Sequence, residues 1–187
     1  MKSNKKFYPF LIGERIYLRE VRLSDVNENY YRWMNDQEIT QYLESRYYPN
    51  SMESLQEYVK TRLGNLNEIF LAIVTKDNDK HIGNIKLGPI NWIHRIGDIG
   101  IIIGERDFWG KGYATEAIKL VVKYAFDTLN LHKITSGCYL PNEGSIKAFQ
   151  NAGFDKEGVR KKHGYYKGKY IDSVLFGLIK EEIQDNE

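Results

Sequence analysis

Residues 98–126 read DIGIIIGERDFWGKGYATEAIKLVVKYAF, and the fold follows from them. An apolar stretch, Ile99–Ile103, has the length and β-branched content of a strand. A charged loop carries it to Gly110-Lys111-Gly112-Tyr113-Ala114, and from there Ala117, Leu120, Val121, Tyr124 and Ala125 recur at helical spacing. A strand, a glycine-rich turn and a helix start therefore succeed one another. Glycines let the backbone turn tightly and approach a ligand, and the first N–H groups of a helix have no partner within it. Such a place holds an anion, most naturally a phosphate, although a turn made only for connection would use the same residues. Two familiar phosphate loops do not fit. A P-loop needs Ser or Thr after its lysine, and Lys111 precedes Gly112; a dinucleotide fingerprint needs a third glycine where Thr115 stands.

Working outward, the chain has 187 residues, most simply one domain over 1–187 with its core at about 15–180. Its 27 basic and 25 acidic side chains balance too closely to argue for a nucleic-acid partner. No apolar run reaches membrane-spanning length, and Met1–Lys6 is not followed by the apolar segment of a signal peptide. The single cysteine, Cys138, rules out an internal disulfide and suits a reducing cytosol, so the expected location is cytoplasmic. No histidine or cysteine cluster has metal-ligand spacing, and no metal is expected.

The element order is mixed. Arg15–Arg22 alternates as a strand, and Ser24 or Asp25 is placed to cap a helix running to about Asn35. After Pro49 and Ser51 a second amphipathic helix carries Met52, Leu55, Tyr58, Val59 and Leu63 and ends at Gly64. Ile69–Thr75 and His81–Leu87 form a hairpin about a polar turn, Gly88-Pro89 breaks it, and Ile96–Ile103 is the next strand. Beyond the long helix come a strand at His132–Tyr139, a helix from Asn142 to about Asn151, and a last hairpin of Phe154–Lys162 with Lys169–Ile179 turning at Tyr166-Lys167-Gly168. A charged tail, Glu181–Glu187, reads as frayed.

Trp109-Gly110-Lys111-Gly112-Tyr113-Ala114-Thr115-Glu116-Ala117 resembles the acyl-CoA pyrophosphate loop of the GNAT N-acetyltransferase superfamily. Trp109 stands where that family has Gln or Arg, a departure that resembles its RimJ/RimL-type branch of ribosomal-protein alanine acetyltransferases. A second match, Asn142-Glu143-Gly144-Ser145-Ile146-Lys147-Ala148-Phe149 closing with Ala152-Gly153-Phe154, follows in the expected order. The resemblance implies an α/β fold: a mixed, mostly antiparallel sheet of about seven strands flanked by about four helices, with two central strands splayed around acyl-CoA. It implies acetyl-CoA as cosubstrate, no metal, and direct transfer to a primary amine in a ternary complex. By the same resemblance the coenzyme is held by main-chain groups of Ile101, Ile102 and Ile103, by Trp109 through Thr115, and by Asn142 and Ser145. It also admits a homodimer.

The chemistry itself needs a neutral amine, donors for a carbonyl oxygen gaining charge, and a proton for the leaving thiolate. Ser145 and Tyr139 are the candidate acids, because the tyrosine many superfamily members use is here Phe149. Asp98, with Glu105 as its rival, is the candidate base through water. His163, beside Tyr165 and Tyr166, is placed near an acceptor, and Cys138 raises a covalent route that no neighbouring histidine supports. Lys111, Arg106 and the run Arg160-Lys161-Lys162 could add charge for phosphates. Trp33 and Tyr42, with the loop after the first helix, are the expected acceptor contacts. The acceptor classes open at this point are a protein N-terminal amine, an amino-sugar nucleotide recognised by the aromatic Tyr42, Tyr47 and Tyr48, and a polyamine, for which Asp36, Glu38 and Glu44 are the available carboxylates. A non-catalytic acyl-CoA sensor on the same fold is the alternative, favoured only by Phe149.

Overall fold

The computed structural model describes residues 8–180; the charged tail and Met1–Lys6 lie outside them. One eight-stranded sheet has the order β1-β2-β3-β4-β5-β6-β8-β7. Its strands are β1 (Leu11–Ile12), β2 (Ile16–Glu20), β3 (Ile69–Thr75), β4 (His81–Leu87), β5 (Ile96–Ile103), β6 (Lys133–Tyr139), β7 (Asp155–Tyr166) and β8 (Lys169–Ile179). Among the described residues five α-helices accompany it: α1 (Glu28–Asn35), α2 (Gln37–Thr40), α3 (Met52–Lys60), α4 (Tyr113–Asp127) and α5 (Glu143–Asn151). The expected splayed α/β sheet is present. The short β1 and α2, with little apolar periodicity of their own, bring the counts to eight and five.

The interior strands are buried on both faces, which is why β3 reads as an unbroken apolar run. Leu71 and Ile73 join Ile16, Leu18, Ile85 and Ile99 beneath Ala117, Ile118, Val121 and Ala125 of α4. Ala72 and Val74 face the other way, onto Tyr30 and Trp33 of α1 and Leu55 and Val59 of α3. The sheet thus separates an α4 side from an α1/α3 side.

Three local expectations change. Asp25 does not cap α1: its carboxylate lies in a 3-10 turn, grips Arg19 through two bonds of 2.7 Å and accepts from the Arg22 amide. Asn27 caps instead, its Oδ1 accepting from the amides of Asn29 and Tyr30. Helix α3 stops at Lys60, and Gly64, with φ +73°, belongs to the turn beyond it. Strand β7 runs past Lys162 to Tyr166 by taking up bulges opposite β8.

What positions the site is one parallel pairing. Strands β5 and β6 pair only at Ile96, Gly97 and Asp98 with Lys133, Ile134 and Thr135. Beyond Asp98, β5 stays with β4 as far as Ile103 while β6 follows β8 to Tyr139, so a gap opens between them.

Candidate active site

The polar groups of β5 alternate between its two edges. Gly88 N donates to Asp98 O and Gly104 N donates to Ile82 O, so the even-numbered residues turn toward β4. The odd-numbered ones turn toward the gap. Ser136 Oγ donates to the Ile99 carbonyl at 2.9 Å and Trp109 Nε1 to the Ile103 carbonyl at 2.7 Å. Between these two ties, the N–H and C=O of Ile101 and the N–H of Ile103 face the open gap. Ile102 is thereby corrected as a backbone donor, because its main chain pairs with Asn84 and only its side chain reaches a cavity wall.

The glycine loop lies beyond the end of β5. Gly110 and Gly112 have φ of +68° and +82°, a conformation that suits glycine. Gly112 is the N-cap of the 15-residue α4 and supplies no side-chain cap, so the Tyr113, Ala114 and Thr115 amides retain the partial positive charge of a helix start. Glu116 would oppose an anion, but its carboxylate accepts from the Arg15 amide and Nε, at 2.8 and 2.9 Å. Arg15 also donates to the Lys111 carbonyl and lies over the Tyr113 ring at 4.4 Å, adding a guanidinium at the loop. Sequence reasoning missed Arg15, since nothing local links it to a loop nearly a hundred positions away. Of the expected phosphate cations, Arg106 is bound to Asp36 and Glu38, and Lys161 to Asp172. Thr115 Oγ1 reaches the Ala148 carbonyl at 3.5 Å and joins α4 to α5.

Asn142 caps α5, its Oδ1 accepting from Ser145 N at 3.2 Å, which leaves the amide nitrogen for a ligand. Ser145 neighbours the Cys138 thiol, which burial pushes up to about 11. A thiol so held is no nucleophile near neutrality. Phe149 is 2% exposed and sits between Phe154 and Phe176, a core ring.

On the α1/α3 side a cavity of about 400 Å³ opens over β3, β4 and β5. Tyr30, Met34, Leu55, Tyr58 and Phe70 make its apolar walls, Glu44 and Ser45 its rim, and Asn84, Lys86, Gly100 and Ile102 its floor. A Cβ at Gly100 would meet nothing within 4 Å, so the floor is open beside the Ile101 amide. Residues 41–47 form a strap across the outside. Tyr42 donates to the Pro141 carbonyl and packs on Tyr166, and Arg46 donates to the carbonyls of Leu43 and Tyr165. Tyr139, at the end of β6, donates to Glu44 and lies near Arg46 Nη2. Burial and the Glu44 bond raise its hydroxyl, keeping it protonated.

The remaining predicted residues separate. Asp98 faces the cavity side two residues before Gly100, roughly 7 Å along the strand. Burial raises its carboxyl against the Thr135 hydrogen bond, which suits a base working nearer neutrality than an ordinary aspartate. Glu105 is corrected: burial would raise it, but bonds from Lys80 and Trp33 prevail and hold it ionised, with Arg32 adding a further ion pair. Trp33 is also corrected as an acceptor contact. It is 1% exposed, packs where a Gly104 Cβ would stand, and touches Glu105 and His81. Tyr42 belongs to the strap rather than the cavity wall. His163 does not line the cavity: it is exposed, lies in the bulged stretch between Arg160 and Gly164, and its ring meets Arg160. Among the described residues no group of His, Cys, Asp or Glu could hold a metal, and no helix is long and apolar enough to cross a membrane.

A gap with inward amides, an uncapped glycine-initiated helix on one side and an amine-sized cavity on the other form an acyl-transfer arrangement. The model of the Acetyltransferase (GNAT) domain matches residues 15–155. The uncharacterized N-acetyltransferase p20 of Bacillus licheniformis is 30% identical over 179 residues, covering 92% of this chain and 97% of its own. Spermidine N(1)-acetyltransferase of Escherichia coli K12 is 34% identical over 110 residues, covering 59% of this chain and 58% of that one. The crystal structure of spermidine N-acetyltransferase from Vibrio cholerae in complex with CoA and spermine superposes with a TM-score of 0.79 at 26% identity, covering 88% of this chain and 95% of that one. On the family match and these relatives, the chain belongs to the GNAT acetyltransferases, enzymes that take their acetyl group from acetyl-CoA.

Proposed function

We propose that the enzyme acetylates a small primary amine held in the cavity between α1, α3 and the sheet. The observation that carries this is the meeting of that cavity with the gap at Gly100–Ile102. An amine entering from the cavity side approaches a thioester laid in the gap, whose carbonyl oxygen can draw on the Ile101 or the Ile103 N–H group as charge develops. An alkyl ammonium has a reference pKa of roughly 10, so its proton must leave first, through water to Asp98. Ser145 on the coenzyme side and Tyr139 on the acceptor side are the hydroxyls that can return a proton to the sulfur.

The walls favour a small acceptor over the larger ones. The strap 41–47 is fastened to β6, β7 and the Pro141 carbonyl, which restricts access for the terminus of a folded protein of the RimJ/RimL-substrate kind. For an amino-sugar nucleotide, Tyr42 and Tyr47 are already engaged with Tyr166 and Arg46, and Lys86, the cation on the floor, pairs with Glu68. A polyamine carries several positive charges, yet Arg106 occupies Asp36 and Glu38 and leaves Glu44 alone on the cavity rim. The test is thiol release from acetyl-CoA over a panel of small apolar monoamines, spermidine, an aminodeoxysugar nucleotide and peptides, with the product identified by mass. Turnover confined to peptides or to spermidine would overturn the reading.

A further inference from the structure

Asn84 is 2% exposed, lies on the cavity floor, and its Nδ2 has no hydrogen-bond partner among the described residues. Its orientation is set from behind. His81 Nε2 stands 3.0 Å from the Gly83 carbonyl and 2.8 Å from Asn84 Oδ1. Burial pushes the His81 imidazole down, so the ring is neutral and one nitrogen carries the proton. With a carbonyl oxygen already at Nε2, that nitrogen must be the donor, and Asn84 must present its oxygen to His81. The N–H₂ end is then turned away from His81, in a residue that lines the cavity floor. Trp33 packs edge-on against His81 at 5.1 Å and fixes the ring in turn. A second buried polar atom without a partner among the described residues, Ser45 Oγ, stands on the rim of the same cavity.

A buried donor on the floor of an apolar cavity calls for an acceptor atom on whatever fills it. We infer that Asn84 is a specificity residue whose Nδ2 donates to an oxygen, carbonyl or carboxylate, carried by the acceptor close to its amine. This deepens the small-amine reading and rests on it. Proximity follows from register: Asn84 lies directly opposite Ile102 across β4 and β5, about 5 Å from the strand whose Ile101 and Ile103 amides face the gap. An oxygen two bonds from the carbon bearing the nitrogen spans that distance, and the apolar walls take a hydrocarbon side chain. The acceptor class is therefore an apolar amino acid or its amide. Asn84 touches substrate but moves no proton.

The test compares leucinamide and leucine with isoamylamine, the same skeleton without the oxygen group, using thiol release from acetyl-CoA. Wild type should favour at least one oxygen-bearing amine by about tenfold or more in kcat/KM, because the unmatched substrate leaves a buried donor unpaired. Whether leucine or leucinamide leads separates carboxylate from carbonyl. Asn84→Asp keeps the shape and the His81 bond but turns an acceptor toward the cavity. It should abolish that preference, read as the ratio of kcat/KM between the oxygen-bearing amines and isoamylamine, with CoA affinity as in wild type. Asn84→Leu serves where the buried carboxylate perturbs folding, and should likewise level the three amines. Equal wild-type rates on all three, or a preference that survives both variants, overturn the inference while leaving the small-amine reading standing. Coenzyme binding without turnover of any of the three, with peptides turned over instead, overturns the reading itself.

Discussion

Replacing Gly112 with valine acts on the coenzyme loop through two effects of known size. At φ +82° an L residue costs about 1–2 kcal/mol, and a β-branched one sits at the unfavourable end. Relaxing that strain rotates the Tyr113 and Ala114 amides away from their common direction. A hydrogen bond to a charged group contributes roughly 1.5–3 kcal/mol, so misdirecting two amides removes about 3 kcal/mol or more. At about 1.4 kcal/mol per decade, that is a loss of about a hundredfold or more in CoA affinity. The new Cβ would also lie 3.4 Å from Arg15 Nη2 and crowd the guanidinium that borders the loop. The strain alone should lower Tm by about 2–8 °C, leaving a folded protein for calorimetric titration with CoA. Gly100→Ala is the companion variant: its Cβ meets nothing within 4 Å, so it should keep coenzyme affinity and change only the acceptor KM. A folded Gly112→Val protein that binds CoA as wild type does would refute the reasoning.

Asp98→Asn should lower kcat by about a hundredfold or more, as removal of a general base does, with little change in CoA affinity. Because burial raises the Asp98 carboxyl, the acidic limb of the wild-type rate profile should lie above the ordinary aspartate range near 4, and the variant should lack that limb. Cys138→Ala should retain turnover and yield no acyl-enzyme by intact mass; loss of turnover in a folded variant would revive the covalent route. Asp25→Asn leaves Arg19 buried without its anion and should destabilise by roughly 3–5 kcal/mol in urea unfolding at neutral pH. The Asp25 carboxyl is held low because its bonds from Arg19 and Arg22 outweigh its burial, so the ion pair stabilises above about 3.9 and its contribution fades as pH falls through the folded value. The stability gap between wild type and variant should close in acid, and a constant gap would contradict the assignment.

The stretch around β5 and α4 was legible because its signals are local: a β-branched run, two glycines and a helical stripe are read without knowing the partner strands. The caps show where that stops. Asp25 and Asn27 are equally good capping residues by type, and what decides between them is Arg19, a strand residue whose guanidinium takes the carboxylate first. In sequence Glu105 stands as a rival base and Arg106 as a phosphate cation, yet Trp33, Lys80, Asp36 and Glu38 come from elsewhere in the chain to bind them. The gap amides required the register with β4, since sequence spacing does not say which edge Ile101 faces. The cavity was the least legible part. Tyr30, Leu55 and Phe70 carry the same apolar signal whether they fill a core or line a space, and Asn84 gained meaning only from the histidine behind it.

Amides at the start of α4 grip the coenzyme in this arrangement while those of β5 face the gap, and amide-resolved NMR during titration with CoA tests this most directly. Tyr113, Ala114 and Thr115 N–H resonances should move and become protected from exchange, with Ile101 or Ile103 following and the β4-paired Ile102 amide changing least. Saturating coenzyme that leaves residues 113–115 unmoved while shifting amides elsewhere would contradict it.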